Sequence, residues 1–159
     1  MTIRRAQRND IPGLARLLEQ VLMVHHEGRP DLFKANTRKY TDDELVEIIA
    51  DDTRPIFVAV ADDAAPGEVA GYAFCVFQQY LGHNVMTDVR TLYIDDICVN
   101  ETCRGQHVGT ALYQHVLNFA REQGFYNVTL NVWSCNPGAQ AFYEAMGMQP
   151  YRIGMEVVL

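Results

Sequence analysis

The segment between residues 93 and 110 constrains this chain most, because it predicts a strand that runs through a tight turn into a helix. Ile94 and Ile97 are apolar strand residues, and Arg104 and Gly105 begin the turn. A helix N-terminus presents unpaired N–H groups and a partial positive charge, so small turn residues let an anion approach the backbone itself. The segment therefore indicates an anion site, to which Arg104 adds a side-chain cation.

The glycines of this segment do not by themselves decide between a ligand and tight packing. Gly105 and Gly109 equally suit a sharp turn and a close helix contact with nothing bound. Both interpretations stay open at this level.

Hydrophobic periodicity along the chain predicts the element order β-α-α-β-β-β-α-β-α-β. Predicted strands cover residues 2–7, 56–61, 69–78, 91–99, 127–133 and 152–159, and predicted helices begin near Asn9, Thr41, Gly105 and Asn136. Residues 25–39 lack periodicity and are predicted to form a loop between the first two helices. No repeat or linker divides the 159 residues, so we expect a single domain over residues 1–159.

Composition excludes several classes of partner. The formal net charge is -7 and the 13 Lys and Arg residues are not clustered, so nucleic acid is not an expected partner. No apolar run reaches the roughly 18 residues of a membrane span, the start lacks a secretory segment, and the four cysteines show no CxxC pairing. We expect a cytoplasmic protein with reduced thiols and no membrane contact.

Two motifs in the C-terminal half carry a family resemblance. The run from Val99 through Arg104 and Gly105 to Gly109 resembles the coenzyme A-binding motif, Q/R-x-x-G-x-G/A, of the GNAT (GCN5-related N-acetyltransferase) superfamily. Residues 136–147 resemble its second signature, N-x-x-A-x-x-F-Y-x-x-x-G, with every fixed position present. His107 departs from the pattern at the first motif glycine, and its Cβ disfavours positive φ. Its amide can still donate to a ligand if the backbone there is already helical.

The resemblance implies a fold, a cofactor and an activity. The expected fold is α/β (α+β): a GNAT-like three-layer sandwich with a mixed, mostly antiparallel central sheet of six or seven strands, splayed between the fourth and fifth, and about four helices. The expected enzyme moves an acetyl group from acetyl-coenzyme A to a primary amine by direct attack, without an acyl-enzyme. Residues expected to hold the cofactor are Ile97, Cys98, Val99, Arg104, Gly105, Gln106, His107, Val108, Gly109, Thr110, Asn131, Asn136, Ala139 and Tyr143.

The resemblance also suggests catalytic groups. Tyr143 matches the tyrosine that protonates the departing thiolate, although Phe142 and Tyr143 also suit a helix core. Asp95 is favoured as base or amine anchor, with Asp96 and Glu101 as alternatives, and all three also fit a solvated strand end. Adjacent strand residues face opposite ways, so Asp95 and Asp96 share a pocket only if a bulge intervenes.

The acceptor side is less constrained by the sequence. Residues expected there are Tyr93, Asp95, Asp96, His26, Arg29 and Phe33, and the net charge favours a small cationic amine, as a free molecule or a peptide. The adjacent histidines have no known metal-ligand spacing, and direct attack needs no metal. Only 12 residues follow Gly147, which is too few for a full pair of long strands. We therefore expect that the acceptor pocket is open, or that a partner closes it, and a homodimer is one expected assembly. The alternative function is a catalytically silent, coenzyme A-binding regulatory or interaction domain.

Overall fold

One mixed sheet forms the centre of the protein, with helices on both faces. The computed structural model describes all 159 residues. The elements are β1 (Thr2–Arg5), α1 (Ile11–Gly28), α2 (Asp42–Ala50), β2 (Ile56–Val60), β3 (Gly71–Gln78), β4 (Thr91–Val99), α3 (Val108–Glu122), β5 (Asn127–Leu130) and α4 (Pro137–Ala145), with short 3-10 turns before α1 and after β4. No helix is both long and apolar enough to cross a membrane.

The sheet has the order β1-β2-β3-β4-β5. The first four strands pair antiparallel, and β5 pairs parallel to β4. Pairing between β4 and β5 covers only Thr91 to Ile94 on β4, although β4 continues to Val99. The remaining part of β4 therefore has no neighbour on that side, and the predicted splay between the fourth and fifth strands is confirmed.

Two apolar cores lie on the two faces of the sheet. Leu14, Leu17 and Leu18 of α1 pack with α2 residues and with Tyr72 on one face. The stripe of α3 that includes Leu112 and Val116 packs on the opposite face, together with α4. This is the predicted three-layer sandwich.

Two helix starts form as their sequences predict. Thr41 caps α2: its hydroxyl accepts from the Glu44 amide, and the Glu44 carboxylate accepts from the Thr41 amide. Asn136 caps α4, with its side-chain oxygen 3.3 Å from the Ala139 amide nitrogen. Local capping chemistry thus sets where both helices begin.

The prediction for the chain terminus was wrong in one respect. Residues 151–159 form no strand, so the sheet has five strands, one fewer than the lower predicted number. A strand needs a hydrogen-bonded neighbour, and this segment meets none within its own chain. The fifth strand also ends earlier than predicted, at Leu130.

The first helix is longer than its periodicity predicted. It continues to Gly28, so His25 and His26 lie in a helix and not in a loop. The His25 ring stacks on Phe33, with centroids 5.1 Å apart, and His26 Nδ1 lies 2.7 Å from the Phe33 carbonyl oxygen. These tertiary contacts stabilise a last turn whose sequence pattern alone indicated a loop.

Candidate active site

A groove opens where β4 and β5 diverge. Beyond Ile94 the β4 backbone lacks a strand neighbour on the β5 side, which leaves N–H and C=O groups available around Ile97 to Val99. Such an edge pairs readily with an extended, amide-bearing molecule. The Cys98 side chain points away from solvent, with its sulfur 3.8 Å from the Leu17 carbonyl oxygen. Any contact from Cys98 to a ligand in the groove is therefore through its backbone.

A cavity of about 240 Å³ lies at the N-terminus of α3, at one end of this groove. Its lining includes most of the turn residues that the sequence singled out: Val99, Arg104, Gly105, His107, Val108, Gly109 and Thr110, joined by Cys103 and Phe142. A helix N-terminus with an exposed arginine beside it favours an anionic ligand. The sequence prediction of an anion site and the cavity therefore fall at the same place.

The turn that leads into α3 has left-handed backbone at two positions. Gly105 has φ 76° and His107 has φ 62°. The backbone at His107 is therefore left-handed and not helical, although the Cβ of this residue disfavours that conformation. Histidine tolerates this conformation better than most residues, but at some cost. Turns of this kind aim successive backbone N–H groups at one point.

Gly109 keeps the cavity open. A Cβ at this position would lie 3.4 Å from Val99 Cγ2 and 3.6 Å from Phe142 Cζ. A larger side chain would therefore extend into the space between β4 and α4.

Tyr143 presents a protonated hydroxyl to the protein surface. The residue is buried, its hydroxyl forms no hydrogen bond within the protein, and no buried side-chain oxygen lacks a partner. The hydroxyl must therefore be the part of the side chain that reaches solvent. Burial, reinforced by the nearby charge of Asp96, raises the pKa of the phenol above its ordinary value. Tyr143 thus stays protonated at neutral pH.

A bulge in β4 places both aspartates on the face that carries α1 and α2. The register shifts between Phe74 and Cys75, where Phe74 pairs with Asp96 and Cys75 with Ile94. Asp95 is the extra residue, so the alternation of faces is broken there. The bulge that would allow the two carboxylates to share a pocket is therefore present.

Asp96 is the more strongly perturbed carboxylate of the pair. Its Oδ2 accepts a hydrogen bond from the Tyr72 hydroxyl at 2.7 Å. Loss of hydration raises the pKa of Asp96 to about 6, although the Tyr72 hydrogen bond and the charge of Lys39 act in the opposite direction. A carboxylate with this pKa is ionised at neutral pH and still accepts a proton readily.

Asp95 is held by two residues of the segment that precedes α2. Its Oδ1 lies 2.9 Å from Lys39 Nζ, and its Oδ2 accepts from the Tyr40 hydroxyl at 2.6 Å. The ring of Tyr40 stacks on Phe74, with centroids 5.5 Å apart. Asp95 is therefore ion-paired with a lysine that is itself half exposed.

The other predicted acceptor residues make contacts near the end of α1 and the end of β5, which together are called the acceptor wall below. Phe33 touches Trp133 edge to face, with centroids 5.0 Å apart, and this contact joins the loop after α1 to the end of β5. Asn131 donates to the Tyr93 hydroxyl at 3.2 Å. Arg29 is paired with Asp31 and Glu156. His26, as described, contacts the Phe33 carbonyl.

Several predicted cofactor residues lie outside the cavity lining. Asn136 is committed to capping α4, and Asn131 lies on the acceptor wall. Gln106 is exposed in the turn, where its side chain reaches the Thr102 carbonyl oxygen at 3.5 Å. Glu101 is exposed, and its amide lies 3.4 Å from the Gln20 side-chain oxygen. No group of three or more His, Cys, Asp or Glu side chains is arranged to hold a metal ion.

Sequence reasoning missed four residues that lie outside the family signatures: Lys39, Tyr40, Tyr72 and Trp133. Each joins the site through packing between elements far apart in the chain. It also gave no role to Cys103, which lies within the first motif run and lines the cavity. The position of Lys39 and Tyr40 just before a capping box was the one local signal, and it concerned the helix and not the site.

Comparison with known proteins agrees with this geometry. The model of the acetyltransferase (GNAT) family matches residues 21–148. A thialysine N-epsilon-acetyltransferase from Bos taurus is 26% identical over 149 residues, covering 92% of this chain and 83% of that protein. A probable glucosamine 6-phosphate N-acetyltransferase from Drosophila melanogaster is 32% identical over 91 residues, which make up 57% of this chain and only 39% of that protein.

Among solved structures, a mutant form of the BH1408 protein from Bacillus halodurans is 27% identical and superposes with a TM-score of 0.93. The match covers 100% of this chain and 99% of that one. The chain belongs to the GNAT acetyltransferase family, a class of acetyl-coenzyme A-dependent N-acetyltransferases.

Proposed function

We propose that this protein transfers an acetyl group from acetyl-coenzyme A to a primary amine by direct attack, without an acyl-enzyme. One observation carries the proposal: the groove between β4 and β5 ends at an anion-favouring cavity, and Asp96, on the unpaired part of β4, lies close enough to Tyr143 for its charge to raise the pKa of that phenol. An acid for the thiolate and a base for the amine are thus available at the same groove.

The cofactor would lie along the groove with its phosphates at the start of α3. Backbone N–H groups between Gly105 and Thr110, together with the Arg104 guanidinium, suit a pyrophosphate. The amide-containing pantetheine arm suits the free backbone of β4 around Ile97 to Val99. This arrangement directs the thioester towards the bulge that carries the two aspartates.

Asp96 is the base that the geometry supports best. An ammonium acceptor must lose a proton before its nitrogen attacks the thioester carbonyl. Asp96 has a pKa of about 6 because it is desolvated, whereas Asp95 is already paired with Lys39 and Tyr40. Asp95 would then contribute negative charge to the acceptor pocket, in keeping with the sequence hypothesis that it anchors an amine.

Tyr143 would act as the acid. After the tetrahedral intermediate collapses, the sulfur of coenzyme A leaves as a thiolate with a pKa of about 8.5 to 10. The Tyr143 hydroxyl is protonated and has no hydrogen-bond partner within the protein. It can donate its proton to that sulfur.

The acceptor is proposed to be a small cationic amine. Two carboxylates on one face of the β4 bulge, in a chain of net charge -7, attract a cation. Phe33 and Trp133, which contact each other edge to face, would add an aromatic surface to the acceptor wall. An amine that binds here would displace or share the Lys39 contact with Asp95.

The experiment is thiol release from acetyl-coenzyme A over a panel of primary amines, with Tyr143→Phe as the test variant. Tyr113→Phe is the matched control, because Tyr113 is also buried and its ring centroid lies 6.2 Å from that of Tyr143. We expect kcat to fall by roughly 10- to 1,000-fold in Tyr143→Phe and to stay near wild type in the control. Tight coenzyme A binding without thiol release for any amine would favour the silent regulatory domain instead.

A further inference from the structure

Lys39 places a primary amine on the carboxylate that is proposed to bind the acceptor. Its Nζ lies 2.9 Å from Asp95 Oδ1 and 5.6 Å from the centroid of the Tyr40 ring. The Tyr40 hydroxyl donates to the other oxygen of the same carboxylate. The Lys39 ammonium therefore has the surroundings of a bound alkylammonium ion, with a carboxylate and an aromatic ring beside it.

The same ammonium is close to the proposed base and to the acceptor wall. Loss of hydration has the largest effect on the pKa of Asp96 and on that of His25, and the charge of Lys39 acts on both as well, in the lowering direction. His25 in turn stacks on Phe33, which belongs to that wall. Charge effects of this kind need short distances, so Lys39 lies near Asp96 as well as on Asp95.

Lysine is scarce in this chain. Eleven of the 13 basic residues are arginine, and the two lysines, Lys34 and Lys39, both lie between α1 and α2. Lys34 is exposed and takes part in none of the ion pairs of the protein. The amino group of Met1 is paired with Asp62, next to β1 at the other end of the sheet order from β5. Lys39 is therefore the one side-chain amine that is held at the proposed site.

We propose that the protein acetylates Lys39 of its own chain when acetyl-coenzyme A is bound and no acceptor amine is present. The step rests on the proposed function, which directs the thioester towards the bulge that carries Asp95 and Asp96. An amine tethered at this bulge has an effective concentration on the order of millimolar or higher, so it competes with free acceptors at lower concentration. The Lys39 side chain is 45% exposed, so Nζ can leave Asp95 without disturbing the core.

The step uses only groups that the proposed transfer already requires. The Lys39 ammonium gives one proton to Asp96, and the neutral nitrogen then attacks the thioester carbonyl carbon. A C–N bond forms, and the C–S bond breaks as the tetrahedral intermediate collapses. The thiolate takes a proton from Tyr143, and the second proton that leaves the nitrogen replaces it on the phenol. One acetyl group is moved, one coenzyme A is formed, and the proton held by Asp96 passes to solvent.

Acetylation of Lys39 would change the acceptor site. An acetylated lysine is neutral and no longer pairs with Asp95, so that carboxylate becomes available to a cationic acceptor. Loss of the Lys39 charge would also raise the pKa of Asp96 further, because that charge acts to lower it. The unmodified lysine is thus a competitor of the acceptor, and its acetylation removes the competition.

Mass spectrometry of the full chain, incubated with acetyl-coenzyme A and no amine, tests the proposal. We expect one acetyl group per chain, located by peptide mapping at Lys39, with at least about 10-fold less at Lys34. Lys39→Arg keeps a cation beside Asp95 but is not a nucleophile, so it should stay unmodified. The matched control Lys34→Arg should be acetylated like the wild type. Equal acetylation of the two lysines would mean an uncatalysed reaction in solution, and would overturn the proposal.

The kinetics of the modification separate a tethered step from a reaction between two copies. The half-time of Lys39 acetylation should not change with protein concentration, and Asp96→Asn should lengthen it by roughly 100-fold. A half-time that shortens as the protein is concentrated overturns the tethered step. An unmodified Lys39 in protein that acetylates a free amine overturns this proposal alone. An unmodified Lys39 together with no thiol release for any amine counts against the proposed function as well.

Discussion

Tyr72 and Asp96 lie on neighbouring strands, and the Tyr72 hydroxyl donates to Asp96 Oδ2 at 2.7 Å. Tyr72 is completely buried, so its hydroxyl is fixed in place. One residue earlier, Asp95 is bound to Lys39 and Tyr40 on the same face of the sheet. The β4 bulge therefore gives two adjacent carboxylates different partners, and leaves Asp96 as the one without a direct countercharge.

Replacing Asp96 should remove the base. In Asp96→Asn the side chain can still accept the Tyr72 hydrogen bond but cannot take a proton. We expect kcat/KM for the best amine to fall by roughly 100- to 1,000-fold. The wild-type kcat/KM should rise with pH through about 6 as Asp96 ionises, and that limb should be absent in the variant. Steady-state kinetics between pH 5 and pH 9 measure both effects.

Asp95→Asn is the control for that variant. It keeps the Asp96 carboxylate and its Tyr72 partner but removes a neighbouring negative charge that helps to raise the pKa of Asp96. The pH limb should therefore persist at a somewhat lower pH, while KM for a cationic amine should rise. If the larger loss of kcat and the loss of the pH limb fall on Asp95→Asn, Asp95 is the base, as the sequence pattern favoured.

Asp96 should also make the stability of the protein depend on pH. Its pKa is higher in the folded chain than in the unfolded chain, so its contribution to stability is present below about pH 4 and is lost as pH rises through about 6. Asp96→Asn should therefore raise the free energy of unfolding at pH 8, by on the order of 2 kcal/mol, and change it little at pH 4. Thermal unfolding at the two pH values measures this difference; an equal change at both would contradict it.

The bulge shows what the sequence could and could not predict about this site. Two adjacent acidic residues on a strand required a bulge if both were to serve one pocket, and the register shift at Phe74 and Cys75 supplies it. Their partners were not predictable, because Lys39 and Tyr72 are separated from the aspartates by 56 and 24 residues. Local patterns carry no information on contacts of that range.

His107 adds strain to the turn before α3. At its φ of 62°, a residue with a Cβ is strained, whereas glycine is not. We expect His107→Gly to raise the stability of the protein by about 1 kcal/mol, or roughly 2–4 °C in Tm, and to keep coenzyme A affinity within a few-fold of wild type. Calorimetry and a binding titration check both. A large loss of affinity would show that the imidazole itself contacts the cofactor.

Gly109 should be required for cofactor binding. A valine there would meet Val99 and Phe142 and fill the cavity at the start of α3. We expect Gly109→Val to weaken coenzyme A binding by roughly 10-fold or more, at about 1.4 kcal/mol per tenfold change. Gly138→Val is the matched control, since an added Cβ there comes no nearer than 4.0 Å to the Asn136 side-chain oxygen. Equal affinity in the two variants, measured by titration calorimetry, would argue against the cavity as the cofactor site.

The fold was largely predictable because its signals are local. Capping boxes, apolar stripes and the strand pattern gave the element order, and the resemblance gave the splayed sheet. The exception is residues 152–159, which the sequence predicted to form a strand. A strand exists only where a neighbour pairs with it, and the chain provides no neighbour for these residues. The last turn of α1 shows the converse, since contacts of His25 and His26 with Phe33 extend a helix beyond its sequence pattern.

The cofactor is proposed to lie in the groove between β4 and β5 with its phosphates at the start of α3. Titration of the isotopically labelled protein with coenzyme A, followed by the backbone amide resonances, tests this position. We expect the largest shifts at Gly105 to Thr110 and at Ile97 to Val99. Shifts confined instead to the other large recess, about 670 Å³ between α1 and the turn at Glu101 and Arg104, would contradict it.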